Sequence, residues 1–248
     1  IAATSYGNGY IEVVIVAQNQ FLYHWRFRNG NWSAVTLLNG SVLSSPILAS
    51  VGAGGLELLA IGLDQKLYRW TRLNGHWTNP VQVTGNFPIN AVLFGQQSAS
   101  SWGDGTLDLA VVHAQTRAVY HRRLGGYENL PPVVGGPLPR TFNLLGGVVI
   151  DMPMLAAFDA ANMNIVVPGT DGVTYNKVSR QNPDVFARPG ADPPILWDFY
   201  LPISQPGLLA GGIAGFGLKD FTVVAVDAQG RLHLNSFAGW GWTGFRPM

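Results

Sequence analysis

The sequence predicts an all-β fold: a five-bladed β-propeller of four-stranded antiparallel blades in a single domain. Three observations carry this expectation. The stretch "FLYHWRFRNGNW" (21–32) returns 45 residues later as "KLYRWTRLNGHW" (66–77), and the register holds upstream, where Glu12 falls on Glu57. Tyr23, Trp25, Asn29, Gly30 and Trp32 fall on Tyr68, Trp70, Asn74, Gly75 and Trp77. That period lies in the range of propeller blades and solenoid units. The runs between turns are short and rich in β-branched and aromatic residues, as in "ILASV", "LELLAIG" and "KLYRWTRL", and each is bounded by Gly, Asn or Asp. The 31 glycines and 16 prolines are spread through 248 residues that are 47% hydrophobic, too many breakers for a helical bundle and too much apolar content for disorder.

The units follow in order. The first two, 1–45 and 46–90, carry the pattern in full, including the Asn-Gly hairpin signal in "RNGNW" and "RLNGHW". The third, 91–153, contains "GTLDLAVVHAQTRAVYHRR", in which Asp108 takes the place of Glu57, Tyr120 that of Tyr68 and Arg122 that of Trp70. The fourth, 154–207, is the degenerate copy "MNIVVPGTDGVTYNKV". The fifth, 208–248, contains "FTVVAVDAQGRLHLNSFAGWGW", with Leu232 and Trp242 matching Leu67 and Trp77. The Pro- and Gly-rich insertions in units three and four read as rim loops. The units run in phase with the chain, so ring closure is expected from packing of unit five on unit one, around Ile1 to Val16 and Leu208 to Leu234. A pair of β-sandwiches gives no reason for this spacing.

The pattern G-x-L-E-L-x-A-I-G-x-D-x-x-L-Y-x-W … N-G-x-W resembles the repeat of bacterial and fungal propeller lectins. It is most similar to the Photorhabdus-type lectin repeat and more loosely to five-bladed tachylectin-2. The resemblance implies non-catalytic sugar binding in several weak pockets at or between blades. Glycans on cell surfaces or glycoproteins are the expected partners and a secreted or cell-surface location the expected setting; the in-phase units bring the termini together, which suits a homo-oligomer or a larger chain. The last two units lose the acid and the strand-three Trp, which puts their sites in doubt.

Strand alternation separates scaffold from site. Leu22 and Leu67 read as core, and Tyr23 and Tyr68 as packing with a bonded hydroxyl. Trp32, Trp77 and Trp242 open the outer strand and read as blade packing. Trp25 and Trp70 sit among cationic and polar companions and read as stacking platforms for a pyranose face. Arg26, Arg69, Arg72, Asn29 and Asn74 are hydroxyl donors to that sugar. Glu12 and Glu57 lie mid-strand between apolar neighbours, where a carboxylate must be paired; they read either as structural bonds or as sugar acceptors.

Two other functions stay open: a protein-interaction module of a larger toxin or adhesin, and a five-bladed glycoside hydrolase. Hydrolysis needs two carboxylates facing across the sugar, and the non-repeated acids are Asp151, Asp159 and Asp198. "GDGTLDL" offers only Asp104 and Asp108, short of a calcium loop. No metal, cofactor or catalytic residue is expected. Charged residues are 12% with a net charge of +1, so nothing argues for nucleic acid. The chain has no cysteine, which excludes disulfides and thiolate metal sites, and no apolar run of bilayer length.

Overall fold

The structure is a computed structural model. It describes residues 1–5, 7, 9–52, 54–83, 97–101, 106–113, 115–124, 142–157, 162–181, 195–209, 211–217, 221–238 and 241–248. Asp104, Asp159 and residues 135–141 and 182–194 of the two expected rim loops lie outside the described residues; within the first loop, Asn143–Gly146 is strand rather than loop.

The described chain forms five antiparallel sheets in sequence order, each built of four neighbouring strands whose outermost is often in two pieces. The first contains β1 (Ala2–Thr4), β2 (Tyr10–Val16), β3 (Phe21–Arg28), β4 (Asn31–Trp32) and β5 (Thr36–Ser41). The second contains β6 (Ile47–Gly52), β7 (Gly55–Ile61), β8 (Leu67–Leu73), β9 (His76–Trp77) and β10 (Val81–Gln82). The third contains β11 (Gln97–Ser100), β12 (Leu107–Val112), β13 (Val119–Leu124) and β14 (Asn143–Gly146). The fourth contains β15 (Met154–Ala157), β16 (Asn162–Pro168), β17 (Thr174–Gln181), β18 (Ile195–Trp197) and β19 (Leu201–Pro202). The fifth contains β20 (Gly211–Gly217), β21 (Phe221–Val226), β22 (Leu232–Ala238), β23 (Gly241–Trp242) and β24 (Arg246–Pro247).

Local chemistry explains the turns. Between β3 and β4, Asn29 and Gly30 have φ of 50° and 81°; Asn74 and Gly75 repeat this at 49° and 86°. Left-handed conformation at both central positions is what a tight hairpin matching strand twist requires, and Asn-Gly supplies it at least strain. The turn before the third strand is fastened by a side chain: Asn19 to the Tyr23 hydroxyl at 3.0 Å, and the Tyr68 hydroxyl to Asp64 at 2.9 Å. Tyr175 donates to Asp171 in the same way. In the fifth sheet Asp227 takes this place, 2.9 Å from His233 Nε2 and 2.7 Å from Arg231 Nε. Burial pushes the Asp227 carboxyl up, but the N–H groups of Arg231 and Gln229, His233 and the Arg231 guanidinium outweigh it and hold it well below the usual carboxylate range.

Apolar residues seal successive sheets face to face. Val14, Leu22 and Leu38 meet Leu56, Leu58, Ala60 and Trp70 between sheets one and two. Leu59, Ile61 and Leu67 meet Leu107, Leu109 and Val111 between two and three. Ala110, Val112 and Val119 meet Met163, Ile165 and Val167 between three and four. Met154, Ala156 and Val166 meet Phe221, Val223 and Ala225 between four and five. The innermost strands β1, β6, β11, β15 and β20 lie side by side in that order.

The expected packing of unit five on unit one is not among these cores. Leu232 is 47% exposed, whereas its repeat counterparts Leu22 and Leu67 are 0% and 8% exposed. Ile11 is 42% exposed, and Val13, Ile15, Tyr23, Trp25 and Phe27 on the same face are half-buried. One repeat position is sealed where another sheet covers it and open where none does. Amides of β2 and β21 are therefore expected to exchange with solvent before those of β7 and β12, which are buried on both faces. Native-state hydrogen exchange checks this; uniform protection across all five sheets would contradict it.

Candidate functional site

Mid-strand carboxylates come first, because burial forces each to be paired. Glu12, Glu57 and Asp108 are all buried on the face turned toward the following sheet. Each reaches the third strand of its own sheet: Glu12 Oε2 lies 2.5 Å from His24 Nε2, and Asp108 Oδ1 lies 2.8 Å from His121 Nε2. Arg69 donates to both oxygens of Glu57 at 2.7 Å, and the Thr71 hydroxyl lies 3.1 Å from one of them. In the fourth and fifth sheets the position is held by Asn164 and Thr222, the latter 3.1 Å from the Ser236 hydroxyl. Glu57 and Arg69 are thus committed to each other inside one sheet, and the expected role of either in holding a sugar is corrected by that pairing.

Trp70 is likewise scaffold. It is 1% exposed, and its Nε1 donates to the Asn39 carbonyl of the preceding sheet at 2.7 Å. Its repeat counterparts do the same with different chemistry. Lys177 Nζ donates to the Leu145 carbonyl at 2.8 Å, and Asn235 Nδ2 to the Ile203 carbonyl at 3.3 Å. The position asks for any long donor that can staple one sheet to the outer strand of the one before it. A stacking platform is not available there, because no face of the indole is open. Trp25, at the same position of the first sheet, is half-buried on the face turned away from the second sheet. Asn29 and Asn74 are exposed turn residues whose selection is explained by backbone conformation.

Three predicted residues do converge. Arg72 Nη1 crosses from the second sheet to donate to Glu12 Oε1 at 3.1 Å. Beside this bond a cleft of about 440 Å³ opens between the first and second sheets. Its walls are His24 and Arg26 from β3, Ser33, Thr36 and Asn39 from the outer strand, and Arg72, His76 and Trp77 from the second sheet. The outer strand of sheet one is broken between β4 and β5, and Ser33, Ala34 and Thr36 at that break line the cleft. Trp77 packs edge-on against His24 with centroids 5.3 Å apart. Its Nε1 is buried with no hydrogen-bond partner among the described residues.

Trp77 packs against the core between the first two sheets, as expected, and is also a wall of the cleft. Trp32, at the same repeat position, was also expected to be core and is 56% exposed. Trp77 and Trp197 lean on a histidine of the preceding sheet, Trp197 on His121 at 5.1 Å; no described sheet stands before Trp32, which stacks only on Phe27 of its own sheet at 5.3 Å. Sequence reasoning also missed His24 and His76. Their signal was present, since both flank repeat positions, but neither recurs in the next unit. Among the described residues no group of three His, Asp or Glu could hold a metal ion, and no helix is long and apolar enough to cross a membrane.

Comparison with solved structures finds β-propellers. The fungal lectin of Aleuria aurantia, a six-bladed β-propeller with a fucose recognition mode, superposes with a TM-score of 0.66 at 12% identity, over 99% of this chain and 78% of that one. The SapL1 lectin in complex with α-methyl fucoside gives 0.61 at 15% identity, over 98% and 78%. A K499G mutant of the NanB sialidase from Streptococcus pneumoniae gives 0.60 at 13% identity, over 86% of this chain and 34% of that one. No family model and no curated protein matches the chain. At these identities the likeness shows the fold alone: an all-β propeller of antiparallel four-stranded sheets.

Proposed function

We propose that this propeller is a non-catalytic carbohydrate-binding protein and that the cleft between its first two sheets holds a sugar. The observation that carries the reading is the cleft itself. An aromatic wall, Trp77, stands beside a set of hydrogen-bond donors, Arg26 and Arg72, in a concavity of about 440 Å³, the size of a small-molecule site. The indole supplies an apolar face for a pyranose ring, and the guanidinium groups bond its oxygens. Glu12 acts at one remove, by holding Arg72 at the cleft wall. The likeness to fucose-binding lectins supports the same class of ligand.

Hydrolysis is the weaker reading. No carboxylate lines the cleft among the described residues, whereas glycoside hydrolysis places two of them across the scissile bond.

The finer points belong to the same proposal. The five sheets act as five blades with a Photorhabdus-type lectin repeat. A second, weak site lies between sheets three and four, where His121 and Trp197 repeat the His24–Trp77 contact. Two weak sites on one molecule hold a glycan-bearing surface better than either alone, which suits a secreted protein.

Trp77→Ala tests the reading. It is expected to weaken sugar binding by roughly tenfold or more, in keeping with a loss of about 1–3 kcal/mol for a stacked ring on an aromatic, while the half-buried indole costs less stability than a core tryptophan. A glycan array followed by titration calorimetry reads the binding and a thermal melt reads the fold. Unchanged sugar affinity in a folded Trp77→Ala variant would remove the site.

A further inference from the structure

The cleft between the first two sheets is rich in donors and has no acceptor charge of its own. Arg26 and Arg72 line it together with His24 and His76, and no Asp or Glu does. The nearest carboxylate, Glu12, is 0% exposed and its two oxygens are engaged, Oε1 by Arg72 and Oε2 by His24. Arg26 forms no ion pair among the described residues, although every other buried or half-buried arginine in the first two sheets does. Its backbone N–H is already satisfied by the Ser33 hydroxyl at 3.0 Å, so the guanidinium is what it offers to the cleft. Trp77 Nε1 is a further buried donor without a partner. Asn39 Nδ2 donates to Asn79 Oδ1 at 2.7 Å, which leaves Asn39 Oδ1 as a neutral acceptor at the cleft wall.

A neutral sugar offers hydroxyls that donate as well as accept, and the side-chain acceptors of this cleft are the neutral oxygens of Ser33, Thr36, Asn39 and Thr78, set beside two guanidinium groups with no carboxylate to balance them. A carboxylate only accepts, and the guanidinium fork matches its geometry with two parallel bonds. We propose that the ligand is an acidic sugar, a sialic or uronic acid residue. Its carboxylate would sit on the Arg26 guanidinium, and its ring would lie against the Trp77 indole. This rests on the lectin reading and names the ligand class within it. The cleft is half open, so the charge pair is partly screened, and affinity should fall as salt is raised.

The experiment compares methyl α-sialoside and methyl glucuronide with their carboxamides, which keep the shape and lose the charge, by titration calorimetry on the intact protein. The acids are expected to bind about tenfold more tightly than the carboxamides, as a charge-assisted bond predicts. Arg26→Gln is expected to erase that difference while leaving the thermal melt unchanged. Arg26→Lys should recover part of it, because the charge returns without the fork. Equal binding of acid and carboxamide, or an acid preference that survives Arg26→Gln, overturns the acidic-ligand assignment and leaves the lectin reading standing. Binding of methyl α-fucoside alone also overturns it. If neither acidic nor neutral glycosides bind, the lectin reading fails with it.

Discussion

Trp70→Ala is expected to destabilise the protein by about 3–5 kcal/mol, the cost of truncating a large aromatic in a packed interior. The indole is 1% exposed and fills the seam between the first two sheets together with Leu22, Leu38, Leu56 and Leu58. Its removal leaves a cavity on the face of β8 and takes away the donor to the Asn39 carbonyl. Gly40 sets the same side chain in place from the other side: a methyl group added there would come within 3.0 Å of the Trp70 ring, so the glycine leaves room for the indole. Trp25→Ala is the matched control. It removes the same residue from the same repeat position where no second sheet covers it, and is expected to cost far less. Urea unfolding of both variants decides the matter. Sugar binding by whatever fraction of Trp70→Ala remains folded should equal that of the parent. A variant that melts like the parent and loses its sugar would show instead that the ring is a platform.

The contrast between these two tryptophans also shows what the sequence could and could not convey. The repeat, its turns and its strands were legible because they depend on neighbours along the chain. Asn-Gly needs only its own backbone to specify a hairpin, and the Asp64–Tyr68 bond spans four residues. Which face of a strand meets another sheet was not legible in that way. Trp25 and Trp70 hold the same repeat position, yet Trp70 is sealed and Trp25 half-buried, because burial is decided by a sheet formed tens of residues away. The same holds for the cleft. Glu12 and Arg72 are separated by 60 positions and become partners only through the packing of two sheets. Sequence reasoning placed both among the candidates for their residue type, but it assigned the aromatic wall to Trp25 and Trp70, and the cationic neighbours of Trp70 suggested an exposed rim. In the structure those cations are turned inward to buried acids. Trp77 had no such flag, and its place at the cleft depends on its contact with His24 of the sheet before it.

Glu57→Ala is expected to cost about 3–5 kcal/mol, the loss that follows removal of one member of a buried ion pair. Glu57 is 1% exposed, and the substitution strips Arg69, itself 8% exposed, of both of its 2.7 Å bonds to the carboxylate. The size of that effect is not the worth of the pair. Most of it is the penalty of keeping a guanidinium in a dry seam without the anion it was folded against. The double variant Glu57→Leu with Arg69→Met removes both charges and keeps the volume, and is expected to recover most of the stability or exceed the parent. The chain already contains the argument for this outcome. At the same repeat position the fourth and fifth sheets carry Asn164 and Thr222 in place of an acid, and their strands pair in the same antiparallel register. A charge there is therefore not a requirement of the sheet. Chemical unfolding of the single and double variants, read as a thermodynamic cycle, separates the two contributions. A double variant as unstable as Glu57→Ala would mean that the ion pair itself is net stabilising in the second sheet.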